Sequence, residues 1–275
     1  MSRLAIVVPC YNEEEVLRES SKQFKSQLEL LIEEGLVSSN SCIVFVDDGS
    51  KDKTWSIIQE LNSESPVTFQ GVKLSKNRGH QNALLAGLLD TYKNVDILVS
   101  IDADLQDDIK VIREMVLKYR EGKQIVYGVR KERSTDTLFK KWTAQAFYKI
   151  MMLMGVNIIY NHADYRLTSS RVIESLNDYK EVNLFLRGVF PTIGFDWSTV
   201  EYDRAERFAG ESKYPLRKML SFAIDGITSF SSVPLRLVTL CGFFIAFMTF
   251  FLIIWAFYTH MTGQVIQGWS STIIS

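Results

Sequence analysis

The sequence predicts an α/β domain built on a mainly parallel sheet, followed by a helix that crosses a membrane. Three observations carry this. Over the first 130 residues, short and continuously apolar strands alternate with helical stretches, the pattern of a parallel sheet covered on both faces. Each of these strands runs out into polar or charged residues. Near the C-terminus, "LVTLCGFFIAFMTFFLIIWAFY" (Leu237 to Tyr258) contains no charge over 22 residues, enough to span a bilayer.

Bulk properties narrow the class. The 275 residues allow one large domain or two modest ones. Hydrophobic residues at 47% against 23% charged exclude global disorder, and a net charge of −1 speaks against a nucleic-acid partner. Cys10, Cys42 and Cys241 are odd in number and far apart, which gives no disulfide framework or zinc spacing and fits a reducing compartment. His80, His162 and His260 are equally scattered, so no histidine metal site is read. The opening "MSRLAIVVPCYNEEE" has too short an apolar run for a signal peptide.

The elements follow in order. "RLAIVVP" is the first strand, and a polar helix starts from Glu13 with Asn12 as its N-cap. "CIVFV" is the second strand, closed by the turn residues "DDGSKD", with a helix from Thr54 to about Leu61. "VTFQGVKL" is the third strand, "NRGHQNALLAGLLDTY" leads into a helix, "DILVSI" is the fourth strand and "KQIVYGV" the fifth. Residues 131–210 read as a mixed region with helices near 135–154 and 170–179. In residues 211–234, Leu216, Met219, Leu220, Ala223, Ile224 and Ile227 form a helical stripe with Arg217, Lys218 and Asp225 off it. That predicts an amphipathic helix lying on the membrane and ending before Pro234; an ordinary helix packed on the domain is the alternative. Residues 235–259 are the span, and 260–275, closing on "GWSSTIIS", read as a loop and the start of an incomplete second span. Lys213, Arg217, Lys218 and Arg236 precede the span and no Lys or Arg follows it, which places residues 1 to about 235 in the cytoplasm. Trp255 and Tyr258 suit the interfacial belt at the far end.

In open parallel sheets, ligands bind beyond the carboxyl ends of the strands. There stand Pro9-Cys10-Tyr11-Asn12, Asp47-Asp48-Gly49-Ser50, Asn77-Arg78-Gly79, Asp102-Ala103-Asp104 and Arg130, one set per strand. The fourth is the most charged: "SIDADLQDD" holds Asp102, Asp104, Asp107 and Asp108. Carboxylates this close raise each other's pKa unless water or a cation neutralises them. Asp102 and Asp104 point to one side of an extended strand, and their hard oxygens, with the Gln106 amide, suit Mg²⁺ or Mn²⁺ bridging a diphosphate. Asp107 and Asp108 stand where the next helix starts and read as capping residues. With no Walker or G-x-G-x-x-G motif, phosphates have to be neutralised by metal and by Arg or Lys. Asp47 can accept from a base N–H or a ribose hydroxyl, and Tyr11 can flank a base or donate its hydroxyl.

At these residues the chain resembles a known family. "VVPCYNEEE", "VDDGSKD", "NRGHQNALLAG" and "DADLQ" look like the nucleotide-sugar half of family 2 glycosyltransferases, which have the GT-A fold. "ADYRLTSS", "FLRGVFPTIGF" and "RFAGESKYPLRKML", together with the span, resemble the polyprenyl-phosphate glycosyltransferases, the bactoprenol glucosyltransferase group related to dolichol-phosphate mannose synthase. The resemblance implies a nucleotide-sugar half at 1–130 and an acceptor half at 131–210. It implies that Pro9, Tyr11, Glu13, Asp47 and the Phe45 backbone bind the nucleotide. Asp102, Ala103, Asp104 and Gln106 would bind diphosphate and metal, with Asp104 the main ligand. Arg130 would lie on a loop beside the acceptor, Arg207 and Lys213 would clamp phosphate, and Asp164 with Arg166 would line the cleft. Implied partners are a nucleotide-diphosphate sugar (UDP-glucose first, UDP-N-acetylglucosamine second), undecaprenyl phosphate, the membrane, a homo-oligomer such as a tetramer, and a flippase. The chain departs from that group in holding one complete span instead of two.

A lipid phosphate is already an anionic nucleophile at neutral pH, so the implied reaction needs positioning and charge management more than a base. Asp164 could orient the nucleophile or a sugar hydroxyl, or act structurally by pairing with Arg166. The competing readings are a non-catalytic, membrane-anchored nucleotide-sugar binding protein and a mannosyltransferase using GDP-mannose. A dehalogenase-type phosphatase fits poorly because its D-x-D follows the first strand. A processive synthase lacks its Q-x-x-R-W element here.

Overall fold

The computed structural model describes residues 1–131, 162–179, 186–203 and 233–263. The helix expected over 135–154, the interfacial segment up to residue 232, Arg207, Lys213 and the suggested second span from residue 264 lie outside the described residues.

The described elements are strands β1 (Leu4–Cys10), β2 (Cys42–Asp47), β3 (Phe69–Lys73), β4 (Ile97–Ser100), β5 (Ile125–Arg130), β6 (His162–Ser169) and β7 (Trp197–Tyr202). The helices are α1 (Leu17–Glu33), α2 (Thr54–Glu64), α3 (His80–Thr91), α4 (Val111–Arg120), α5 (Ser170–Ser175), α6 (Leu186–Thr192) and α7 (Val233–Met261). The strands form one seven-stranded sheet in the order β3-β2-β1-β4-β6-β5-β7. The first four are parallel, β6 runs antiparallel between β4 and β5, and β5 pairs parallel with β7. β5 therefore points the same way as β1–β4, and all five strand ends named above do face one edge. The fifth strand is not the neighbour of the fourth; β6 separates them.

Period-two alternation between two covered faces explains why β1, β2 and β4 are apolar up to their last residues, where Asp47 and Ser100 end β2 and β4. Leu4, Ile6 and Val8 of β1 face one layer with Phe24 and Leu28 of α1, Ile58 of α2 and Met115 of α4. Ala5 and Val7 face the other with Leu84 and Leu88 of α3, Val172 of α5 and Phe190 of α6. Both layers are closed to solvent, so a polar residue on either side of these strands would be buried. α1 begins later than the sequence indicates: Glu13–Val16 form a turn in which Leu17 N–H donates to the Glu13 carbonyl, 3.0 Å. Asn12 is not a cap; it sits at φ +51°, and its side chain accepts from Lys51 N–H at 2.9 Å.

α7 is 29 residues long, about 43 Å at 1.5 Å per residue, against a hydrocarbon core of about 30 Å. Leu235–Met261 is long and apolar enough to cross a membrane, and its large side chains are exposed, Phe243 at 72%. Its few hydroxyls turn inward. Thr239, Thr249 and Thr259 donate to the carbonyls of Leu235, Ile245 and Trp255 one turn back, which spares lipid an unpaired donor.

Helix α3 lies tight on the sheet through Gly87, where an added Cβ would come within 2.4 Å of Val46 Cγ2 and 2.8 Å of Val7 Cγ1. Alanine there gains about 1 kcal/mol of helix propensity but overpacks two stiff β-branched neighbours at about 1–3 kcal/mol. Overpacking wins. Gly87→Ala should lower the thermal unfolding midpoint by a few degrees; a rise would show that α3 lifts off without cost.

Candidate active site

Three groups of side chains gather at the carboxyl edge of the sheet. The first is the end of β2. Asp47 is wholly buried; its Oδ1 accepts from Ser50 N–H at 3.1 Å, and Oδ2 has no hydrogen-bond partner among the described residues. Asp48 accepts from the Arg78 and Gly79 amides at 2.6 and 2.9 Å, tying the β2 end to the start of α3. The turn between them requires Gly49: φ is +67°, and a Cβ would meet the Lys76 backbone at 2.6 Å. Tyr11 and Glu13 are half-buried opposite this turn, with Glu13 N–H donating to Thr54 Oγ1. Pro9 is buried at the end of β1, and the Phe45 ring lies in the core, 6.2 Å from Phe69.

The second group is the loop after β4. The strand stops at Ser100 and the chain turns, with Leu105 at φ +56°. Asp104 is buried and its Oδ1 accepts from Gln106 N–H, so these two expected ligands are held together. Ala103 is buried behind them, and Asp102 remains 37% exposed. Desolvation raises the Asp102 carboxyl above its ordinary range; His80 opposes, while Asp107, Asp164 and Asp104 add to the rise. Asp107 is not a helix cap. It is buried and accepts from the Tyr202 hydroxyl at 2.7 Å and from Arg130 at 3.3 Å. Arg130 ends β5 rather than standing on a loop, and also donates to the Tyr202 hydroxyl at 3.2 Å. Asp108 does act locally, accepting from Lys110 N–H, and its carbonyl takes the Tyr165 hydroxyl.

In the third group the expected Asp164 and Arg166 are joined by Arg187 and His80, which were not read from the sequence. Asp164 and Arg166, two apart on β6, share one face of the strand. Arg166 donates to Asp164 Oδ1 at 2.8 Å, is 1% exposed and stacks on the Phe190 ring at 4.3 Å. Arg187 of α6 grips the same carboxylate with both ends of its fork, Nε to Oδ1 at 3.2 Å and Nη2 to Oδ2 at 2.9 Å. His80 Nε2 stands 3.6 Å from Asp164 Oδ2 and 3.4 Å from Asp102 Oδ1, joining this group to the β4 loop. The Ser100 hydroxyl donates to the Asp164 carbonyl at 2.6 Å, pinning β6 to the β4 end. Burial alone pushes the Asp164 carboxyl up; Arg187, then Arg166 and His80, reverse this and hold it well below the usual carboxylate range. His80 was set aside because the histidines are scattered. For Arg187 there was a signal: a lone cation inside the apolar "FLRGVF".

A mainly parallel sheet with one antiparallel strand, running out into an Asp-x-Asp loop beside a buried strand-end aspartate, defines a GT-A glycosyltransferase. The chain belongs to glycosyl transferase family 2, whose model matches residues 5–176. It is 55% identical over 272 residues to the uncharacterized glycosyltransferase YkoT of Bacillus subtilis, covering 99% of this chain and 80% of that protein. It is 38% identical over 278 residues to the bactoprenol glucosyl transferase of Shigella phage SfV, covering 99% and 87%. Among solved structures, the mannosyltransferase PcManGT of Pyrobaculum calidifontis, in complex with GDP-Man and Mn²⁺, superposes with TM-score 0.51 at 17% identity over 77% of this chain and 58% of that one.

The charge network makes a stability prediction. Asp164→Ala strands a buried guanidinium and should cost about 3–5 kcal/mol. Since the folded Asp164 carboxyl titrates below its unfolded value of about 3.9, its stabilisation is whole above that pH and fades as the pH falls below it. The midpoint gap between wild type and Asp164→Ala should be level from pH 5 to 8 and shrink below about pH 4. A gap that widens in acid would contradict the pairing.

Proposed function

We propose that this protein transfers a hexose from a nucleotide-diphosphate sugar to a polyprenyl phosphate at the cytoplasmic face of a membrane, with inversion at the anomeric carbon. UDP-glucose is the first choice of donor, UDP-N-acetylglucosamine the second, and undecaprenyl phosphate the acceptor. The observation that carries this reading is the extent of the likeness to the bactoprenol glucosyl transferase: it runs through 99% of this chain, apolar helix included. An acceptor headgroup at a membrane surface requires an enzyme held there, and α7 supplies the anchor.

The nucleotide fits the β2 end. A wholly buried carboxylate oxygen without a partner is costly, and a base N–H or ribose hydroxyl would complete Asp47 Oδ2. The diphosphate fits the β4 loop. Asp102, Asp104 and Gln106 offer hard oxygens that suit Mg²⁺ or Mn²⁺. Among the described residues, no three His, Cys, Asp or Glu side chains form a ready metal cage, so substrate phosphates and water would complete such a shell. Bound there, a divalent cation would supply charge neutralisation for the departing nucleoside diphosphate. Arg130 is held at the end of β5 by Asp107 and Tyr202, a fixed guanidinium reaching the β4 loop through Asp107. Arg207 and Lys213 are proposed to close the phosphate site from the segment before α7. The acceptor oxygen attacks the anomeric carbon as the bond to the diphosphate breaks, and no proton has to be removed from the nucleophile.

Two outcomes are expected. Purified protein in detergent with undecaprenyl phosphate and Mn²⁺ should carry label from one of UDP-glucose, UDP-N-acetylglucosamine, UDP-galactose or GDP-mannose into the organic phase. Asp104→Asn or chelation should cut that rate at least 100-fold. No label with any of the four donors, while UDP still binds, would favour a binding protein. In cells, the protein should stay with the membrane pellet after alkaline carbonate washing, and release into the supernatant would remove the anchoring role of α7.

A further inference from the structure

Two guanidiniums converge on the single carboxylate of Asp164, so this cluster carries a surplus positive charge against the wall of the β4 loop. The two are not equivalent. Arg166 is 1% exposed and sandwiched between the sheet and the Phe190 ring, so no substrate can reach it. Arg187 is 39% exposed. It stands one helical turn from Phe190 on α6, so the stacking that holds Arg166 also holds the helix carrying Arg187. The start of α6 is fixed again by Leu186 N–H, which donates to Gln81 Oε1 at 3.1 Å. A planar guanidinium anchored through Nε and Nη2 and still 39% exposed is a good receptor for a phosphate.

The carboxylate is placed for anchoring. Asp164 Oδ1 accepts from both Arg166 and Arg187, and Oδ2 accepts from Arg187 with His80 beside it. Three hydrogen bonds from two guanidiniums hold this carboxylate as an anion and make it a weak acceptor for a nucleophile's proton. An anionic phosphate nucleophile asks for none; it asks for a cation that holds it close to a negatively charged donor. The His80 imidazole, within 3.6 Å of Asp164 and 3.4 Å of Asp102, shows that this cation stands next to the loop assigned to the donor diphosphate.

We propose that Arg187 binds the phosphate of the acceptor, and that Asp164 is the positioning residue that holds Arg187 in place rather than a proton acceptor. This rests on the reading above that the acceptor is a lipid phosphate.

The test separates acceptor from donor. Initial rates with undecaprenyl phosphate in detergent would be measured for wild type, Arg187→Gln, Arg187→Lys and Asp164→Asn, along with UDP affinity by calorimetry in the presence of Mn²⁺. Loss of one charged hydrogen-bonding partner corresponds to roughly a 10- to 100-fold rise in KM for the lipid phosphate in Arg187→Gln. UDP affinity should stay within about twofold, and Arg187→Lys should recover part of the loss, because a lysine keeps the charge without the fork. Asp164→Asn should reproduce the acceptor defect and leave the pH profile of kcat with the shape of wild type; a missing base would remove its acidic limb. Equal weakening of UDP in Arg187→Gln would make Arg187 a donor-side group and overturn the inference, as would an unchanged KM. If wild type transfers no sugar to the lipid phosphate, the acceptor assignment itself falls, and this inference with it.

Discussion

A guanidinium buried in the middle of a sheet has to be neutralised where it stands, and much of the candidate site follows from how that is done. Arg166 sits on β6 between β4 and β5, in register with Ser100 on one side and Tyr127 on the other. Leaving it unpaired there would cost several kcal/mol. Asp164, two residues earlier on the same face of the same strand, supplies the countercharge. From that pair the rest is drawn in: Arg187 onto the carboxylate, Phe190 under the guanidinium, the Asp164 carbonyl onto Ser100, and His80 across to Asp102. One ion pair thus sets β4, β6, α3 and α6 relative to one another at the edge where the sheet ends.

Such a network is a weak source of net stability, since well-packed apolar residues of similar volume often do as well. Its value lies in geometry. Long cationic side chains keep considerable rotamer freedom when they stand alone in water. Here Arg187 is held by two hydrogen bonds to a carboxylate that is itself fixed. The second polar anchor, Asp107 with Tyr202 and Arg130, does the same on the other flank of the Asp-x-Asp loop, and Tyr165 packs edge-on against Tyr202 at 5.3 Å beneath it. A loop carrying several carboxylates is thereby braced from both sides by groups on strands.

Much of this was readable before any coordinates. Strands β1, β2, β4 and β5 announced themselves because covered faces force apolar runs, whereas the edge strand β3 has polar and half-exposed positions; the polar termini marked the functional edge. α7 was plain from its lack of charge. β6 was not read as a strand. "HADYRLTS" interleaves charged and hydroxyl side chains with only two aliphatic ones, and its burial depends on pairing with β4 and β5 and on the cancellation of Arg166 by Asp164. Asp107 looked like a helix cap because its real partner, Tyr202, lies 95 residues away. Asn12 looked like one too, since a left-handed φ leaves no trace in local sequence pattern. Long-range pairing of polar groups is what single-sequence reasoning cannot reach; apolar periodicity is what it reads well.

The antiparallel strand also governs how the chain is assembled during synthesis. The strands β3-β2-β1-β4 are complete once residue 100 has left the ribosome, and each has its neighbour. β5 follows at 125–130 but cannot join them, because the place beside β4 belongs to β6, which is made only at 162–169. At about 5–20 residues per second, β4 shows an open edge and β5 waits unpaired for some seconds. Open apolar edges of this kind template wrong pairings between nascent chains. The Asp164–Arg166 pair arrives on the strand that closes the gap, and Arg187 and then β7 follow to finish the charge network and the sheet. A chain interrupted between β5 and β6 would be left with four paired strands and without the Asp164 cluster.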